Sequence, residues 1–343
     1  METTMKFQKL STAQLEDLPV EVLLNMLNYL ELLDLNLFGQ VSKRLKSLSL
    51  VESLWQRILL LNKTVSINLV ENILGRGCKT LCLKSCKIIE ATFDKPLSGN
   101  QIEAKGITGS SQLINLDLYQ CEFPDGFLET LLSSSHSLKT FSLTDYNVCL
   151  FPYDILSDFY SQNGQTLQTL NLAFTSVVSW KHIELVVKNC TGLKEVDFSL
   201  SNLSYESIYL LVNGISKNIE KFGLAHCSSG CDAADGYVKI LVSRCNKIKS
   251  LNLAWNSITN NSLTRIAKNL ENSLEELDIG RCSNITDTKL LEMSSMPKLK
   301  ILNYFMPYNS NYEDLKKNLP QLTNKNPMEK WPERIIKLFD DQK

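Results

Sequence analysis

The sequence predicts an α/β chain. A small N-terminal three-helix unit comes first, followed by a curved solenoid with a parallel concave sheet and outer helices. Three observations predict this. A pattern L-x-x-L-x-L, with conservative apolar swaps, starts at Leu113, Leu138, Leu167, Leu193, Ile219, Ile248, Leu274 and Leu299. Its L-x-L part alternates with the period of a strand. The segments between have helical spacing, as in Leu263, Ile266, Ala267 and Leu270. Finally, 343 residues with 43% hydrophobic and 21% charged side chains suffice for a buried core and exclude a disordered chain.

The chain divides into a flexible N-terminus at 1–14, a helical unit at 15–60, the solenoid at 65–306, and a cap and tail at 307–343. In the helical unit, Leu18-Pro19 begins a helix, because proline is tolerated at the first helical position. Val20, Leu23, Leu24 and Leu27 form one apolar face; Val22, Met26, Tyr29 and Leu30 form another. A unit this small covers only one of them, so the surplus face is a protein–protein site. A second helix runs from about Leu33 to Phe38 and stops at Gly39. A third contains Val41, Leu45, Leu48, Leu54 and Trp55, with Lys43, Arg44 and Lys46 on a solvated side.

Each repeat buries its apolar side only against its neighbours, so the array stacks and curves. An early copy, Cys78 to Leu83, stands 35 residues before Leu113, and Glu90–Ser110 is read as an insertion. Gly75 to Thr80 lacks phosphate-loop spacing and reads as a helix end leading into a strand. Of ten cysteines, Cys78, Cys86, Cys121, Cys190, Cys227, Cys245 and Cys282 fall in repeat columns that point inward, where cysteine acts as a small hydrophobe. Cys82, Cys149 and Cys231 are expected to be exposed. Cys78, Cys82 and Cys86 diverge in this register, so no metal is expected. The N-terminal residues lack an apolar signal core, so free thiols in a reducing compartment, cytoplasmic or nuclear, are expected. Five Asn-x-Ser/Thr sequons are then coincidental.

This cysteine pattern resembles the cysteine-containing leucine-rich repeats common in F-box proteins. Tyr146, Thr175, Ser201 and Asn256 depart from it. The helical unit resembles an F-box through Leu18-Pro19, Glu21, Val22, Leu27, Tyr29-Leu30, Asp34-Leu35, Val41-Ser42-Lys43 and Leu54-Trp55; Leu45 stands where the family often has Trp. The segments Met296–Phe305 and Tyr312–Leu322 are similar to the end of the S-phase-kinase-associated F-box subgroup. The resemblance implies a partner, the Skp adaptor of a cullin–RING ubiquitin ligase, bound through Leu18, Pro19, Val22, Leu27, Leu30, Leu35, Val41 and Trp55. It implies a target protein held on the solenoid for ubiquitin-dependent degradation.

Alternation places a polar column on the concave side: Asp117, Ser142, Asn171, Asp197, Gly223, Asn252, Asp278 and Asn303. Two residues past the strands lies a second column: Gln120, Asp145, Phe174, Leu200, His226, Trp255, Arg281 and Met306. Its aromatic, Met and Arg content predicts a docking ridge. The candidate target-binding residues are Asp145, Phe174, Asp197, Lys221, His226, Trp255, Asp278 and Arg281. An acidic floor beside this ridge favours a segment with Lys or Arg and an apolar anchor. Tyr312–Leu319 predicts a capping helix, and Trp331, Ile335, Leu338 and Phe339 a second short one.

Three histidines and no zinc-protease or nucleophile-elbow motif argue against catalysis. No cofactor is expected. A net charge of −1 and the lack of a long apolar run argue against nucleic-acid and membrane partners. The alternatives are a repeat scaffold outside any ligase and a receptor that needs a small ligand.

Overall fold

The computed structural model describes residues 15–90, 111–145, 153–175, 178–227, 231–304 and 312–323. The expected flexible N-terminus, the Glu90–Ser110 insertion beyond its first residue, Cys149, Met306 and the second tail helix lie outside them.

A single helical turn at Leu15–Asp17 precedes α1 (Val20–Leu27), α2 (Leu32–Phe38) and α3 (Lys43–Ser49). Pro19 is the cap of α1 rather than its first residue, and its φ of −55° suits the entry. The third helix is shorter than expected. Val41 precedes its Ser42 cap, and Leu54 and Trp55 sit in a separate turn, Glu52–Trp55.

The solenoid follows: β1 (Arg57–Leu61), β2 (Thr64–Ser66), α4 (Ile67–Gly75), β3 (Thr80–Lys84), β4 (Lys87–Ile89), β5 (Asn115–Tyr119), α5 (Phe127–Ser133), β6 (Thr140–Thr144), α6 (Tyr153–Asn163) and β7 (Thr169–Asn171). It continues with α7 (Trp180–Asn189), β8 (Glu195–Asp197), α8 (Tyr205–Gly214), β9 (Lys221–Gly223), α9 (Cys231–Arg244), β10 (Ser250–Asn252), α10 (Asn260–Leu270), β11 (Glu276–Asp278), α11 (Asp287–Leu291), β12 (Ile301–Asn303), α12 (Tyr312–Asn318) and β13 (Leu322–Thr323). Among the described residues, eleven strands form one sheet in the order β1-β3-β5-β6-β7-β8-β9-β10-β11-β12-β13, and β2 pairs separately with β4. The pairs are parallel and unshifted, as in Leu116 opposite Phe141 and Leu251 opposite Leu277.

Each expected repeat start lies two residues before its strand. The sheet also extends one strand past each end of 65–306. β1 belongs to a repeat starting at Trp55, with Ile58 and Leu60 in the inward positions. β13 follows Leu319, a shortened copy. Gly77 has φ +82° between α4 and β3, so the helix-to-strand reading of that segment is borne out. Ser42, Ser66, Ser179, Ser204, Thr259 and Thr286 cap their helices by accepting backbone N–H groups.

The cysteine column has a more specific role than filling space. Cys86 Sγ donates to the Leu60 carbonyl at 3.3 Å, Cys121 to Leu83 at 3.2 Å, Cys227 to Phe198 at 3.1 Å and Cys282 to Leu253 at 3.2 Å. Each thiol thus serves the repeat before it. Among the departing residues that the structure describes, Asn256 does the same, while Thr175 and Ser201 turn their donors onto a carbonyl of their own repeat; Tyr146 lies outside the described residues. Thr175 donates to Leu172 at 2.7 Å, Ser201 to Phe198, and Asn256 to Leu224 at 2.7 Å. Any small donor satisfies the corner, because the need is for a buried hydrogen bond. The expectation for Cys82 is corrected: it is buried, with its thiol against Asp117.

Candidate functional site

Two surfaces stand out. On the helical unit, Leu23, Leu27, Leu35, Leu45 and Leu48 make the core. Val22 and Met26 on the second face of α1, and Tyr29 and Leu30 just after it, remain exposed, as do Leu37 and Val41; Tyr29 is 80% exposed. Val20, expected on the inner face, is also exposed.

The proposed adaptor contacts therefore separate. Pro19, Val22, Leu30 and Val41 are on the surface, and Leu18 is half-buried. Leu27, Leu35 and Trp55 are corrected to core positions. Leu27 and Leu35 hold the three helices together. Trp55 donates Nε1–H to the Ser49 carbonyl at 2.9 Å, and the Arg76 guanidinium lies 4.3 Å over its ring. Its ring fills the first apolar position of the β1 repeat, so it joins the helical unit to the solenoid.

The second surface is the ridge past the strands. Gln120, Asp145, Phe174, Leu200, His226, Trp255 and Arg281 all have φ between +50° and +63°. This left-handed region costs a non-glycine residue about 1–2 kcal/mol. A regular ladder holds it: His226 N–H donates to the Ala254 carbonyl at 2.9 Å, Trp255 to Gly280 at 2.8 Å, and Phe174 to Ser199 at 2.9 Å. Asn62 and Ser85 occupy the same corner in the two earlier repeats. The corner aligns the side chains one strand apart. The His226 and Trp255 rings meet edge-on at 5.9 Å, and Arg281 lies 4.9 Å over Trp255. Gln120 donates to the Asp145 carboxylate. His226 is exposed, while Asp145, Phe174, Trp255 and Arg281 are half-buried.

The concave floor differs from the expectation. Asp197 Oδ1 accepts the Ser199 N–H at 2.9 Å. Asn171 and Asn252 bond the N–H two residues on in the same way, as Asx residues do at turns. Asp278 Oδ1 accepts both Gly280 N–H at 3.1 Å and Asn303 Nδ2–H at 2.9 Å, and Asp278 is buried. Asp197 and Asp278 thus shape the strand ends, their carboxylates taken up within the chain rather than offered to a target as the sequence predicts. Lys221 is paired with Glu195 at 2.8 Å, so it offers no isolated charge. At Gly223 a Cβ would lie 2.3 Å from Asp197 Oδ1, so glycine leaves the room that this carboxylate uses.

Asp117 is the exception in this column. It is buried between Cys82 and Ser142, the residues opposite it in register. Burial pushes its carboxyl up to about 6; Ser142, Cys82 and Lys84 offset only part of that. Strand alternation places Asp117 in the polar column without distinguishing it from the other residues there. Exposed Leu59 and Leu61 on β1, and exposed Trp180 and Tyr205 opening α7 and α8, were also missed. Only the first pair had a signal, the apolar run Ile58–Leu61.

These features define a leucine-rich-repeat solenoid that carries an F-box-like helical unit. Residues 68–329 match the family described as the SKP2 LRR domain, and residues 15–61 match the F-box-like family. The chain belongs to the SKP2 LRR domain family. It is similar to the yeast Rad7–Elc1 complex structure at 17% identity and TM-score 0.50, over 80% of this chain and 62% of that one. The chain therefore spans less than two thirds of that neighbour. An internalin (inlF) from Listeria monocytogenes is similar at 18% identity, TM-score 0.43, over 79% of this chain and 74% of that one.

Proposed function

We propose that the chain is the non-catalytic substrate-recognition subunit of an SCF-type cullin–RING ubiquitin ligase. Its F-box-like unit binds the Skp adaptor, and its solenoid presents a target protein for ubiquitylation and degradation. The observation that carries this reading is the exposed apolar strip Val22, Met26, Tyr29, Leu30, Leu37 and Val41. An apolar patch left open beside a complete core fits a partner interface. The ridge of Phe174, His226, Trp255 and Arg281 is the proposed target contact, with Asp145 at its far end. Rate enhancement comes from raising the effective concentration of target lysines near the charged conjugating enzyme. Eight buried free thiols support a reducing compartment, cytoplasm or nucleus.

The test is affinity capture of the Skp adaptor and a cullin by the full chain. Val22→Asp with Leu30→Asp should lower adaptor capture at least tenfold while leaving the melting temperature unchanged, since both side chains are exposed. Undiminished capture, or target turnover equal to wild type, would overturn the proposal.

A further inference from the structure

We propose that the outer edge of β1 is a strand-addition site for an extended segment of the target protein. That segment carries two aliphatic residues two positions apart and, two positions further on, an aspartate or glutamate. That the partner is a target rests on the receptor reading; the strand chemistry does not.

The edge is open along its length. β1 ends the eleven-stranded sheet and is paired with β3 on one side. Just before the strand, Gln56 accepts the Thr80 N–H at 2.9 Å; just after it, Asn62 donates to the Lys84 carbonyl at 2.9 Å. Alternation then turns the N–H and C=O groups of Ile58 and Leu60 toward β3, and those of Arg57, Leu59 and Leu61 outward. No described helix packs along that outer side. Folded sheets blunt their edges with prolines, charges or very short strands, because an open edge pairs with another chain. The opposite end follows this rule, since β13 has two residues. β1 has five, no proline, and one charge at its start.

The side chains define the occupant. Leu59 and Leu61 share the concave face and are each 44% exposed, so a strand laid on the edge covers both with its own side chains. Cations bracket them. Arg57 is exposed on the same face, and Lys84 stands opposite Leu61 with its ammonium over the Tyr119 ring at 5.2 Å. An acidic segment is therefore attracted and a basic one repelled. Antiparallel pairing is slightly the more stable per residue. In that direction the incoming residues on the concave face meet Leu61, Leu59 and Arg57 in turn. This sets the order aliphatic, aliphatic, acidic at alternate positions. Main-chain hydrogen bonds supply affinity and those three positions supply selectivity.

The test uses the full chain and a library of ten-residue peptides randomised at every position. Selected peptides should show the alternating aliphatic, aliphatic, acidic order. N-methylation of a selected peptide should weaken it at least tenfold at those three positions, whose N–H groups face β1, and little at the residues between. Side-chain docking alone does not give that alternation. Leu61→Pro, which removes an outward N–H and no β1–β3 bond, should weaken binding at least tenfold with circular dichroism unchanged. Arg57→Glu should exchange the acidic preference for a basic one. No enrichment of this order, or binding indifferent to where the N-methyl group sits, would overturn the proposal. Benzoylphenylalanine in place of Lys63, at the end of the edge, should photo-crosslink to the peptide. Crosslinks within the chain or to a second copy instead would assign the edge to those occupants and overturn it too. Adaptor capture by the wild-type chain, measured in parallel, reads the receptor proposal alone.

Discussion

Single side chains already separate roles that look alike in composition. Two aspartates of one column illustrate it: Asp278 is engaged by Gly280 and Asn303, whereas burial holds the Asp117 carboxyl up to about 6. A carboxyl whose folded value exceeds its unfolded one of about 3.9 binds more protons when folded, so it weakens the fold as pH rises through that interval. Asp117→Asn should therefore stabilise the chain at pH 7.5 by up to about 3 kcal/mol, and the gain should vanish near pH 4. Urea melts at the two pH values check this. Burial likewise pushes the Cys78, Cys190, Cys227 and Cys282 thiols up to about 12. Iodoacetamide at pH 7.5 should leave these four unmodified until denaturant is added, as read by mass spectrometry.

At the scale of elements, the strand-to-helix corner is where stability and recognition diverge. The left-handed residue of each repeat suits glycine, yet after Asn62 and Ser85 the described repeats place Gln, Asp, Phe, Leu, His, Trp and Arg there. Trp255→Gly should leave stability unchanged or slightly higher and reduce target binding at least tenfold. A thermal melt beside a capture assay tests this, and a large fall in melting temperature would make the ridge structural. Helix α1 shows the same division. Leu27→Ala should cost about 2–5 kcal/mol as a core truncation. Val22→Asp should cost little stability and most of the adaptor binding. The heptapeptide-scale spacing of α1 made both of its apolar faces legible in sequence, because side chains three and four apart share a face. Which face stays open depended on where α2 and α3 dock.

At the scale of the whole molecule, the helical unit and solenoid are joined rather than strung together. Trp55 ends one and begins the other, with Arg76 of the α4 cap stacked on it. Trp55→Ala should cost about 3–5 kcal/mol and loosen the junction, so that denaturation becomes two transitions instead of one. In a solenoid each repeat is held by its neighbours, which makes such a terminal interface decisive. The repeats from Leu113 to Leu299 were legible because a strict register needs apolar residues at fixed spacing. The first and last were not: Trp55 does not look like a repeat leucine, and Leu319 starts a copy cut short after two strand residues.

Sequence alone determined the architecture: the spacing of inward side chains dictates stacked repeats, and the F-box-like pattern dictates three helices with a surplus apolar face. Tertiary structure alone decided which polar residues are engaged. Asp117, Asp197 and Asp278 occupy one column with the same chemistry, and their hydrogen bonds differ because their neighbours in the adjoining strands and turns differ. The turn partners Ser199 and Gly280 lie only two residues on, but Cys82 of Asp117 and Asn303 of Asp278 are 35 and 25 residues away along the chain, beyond the reach of any local pattern.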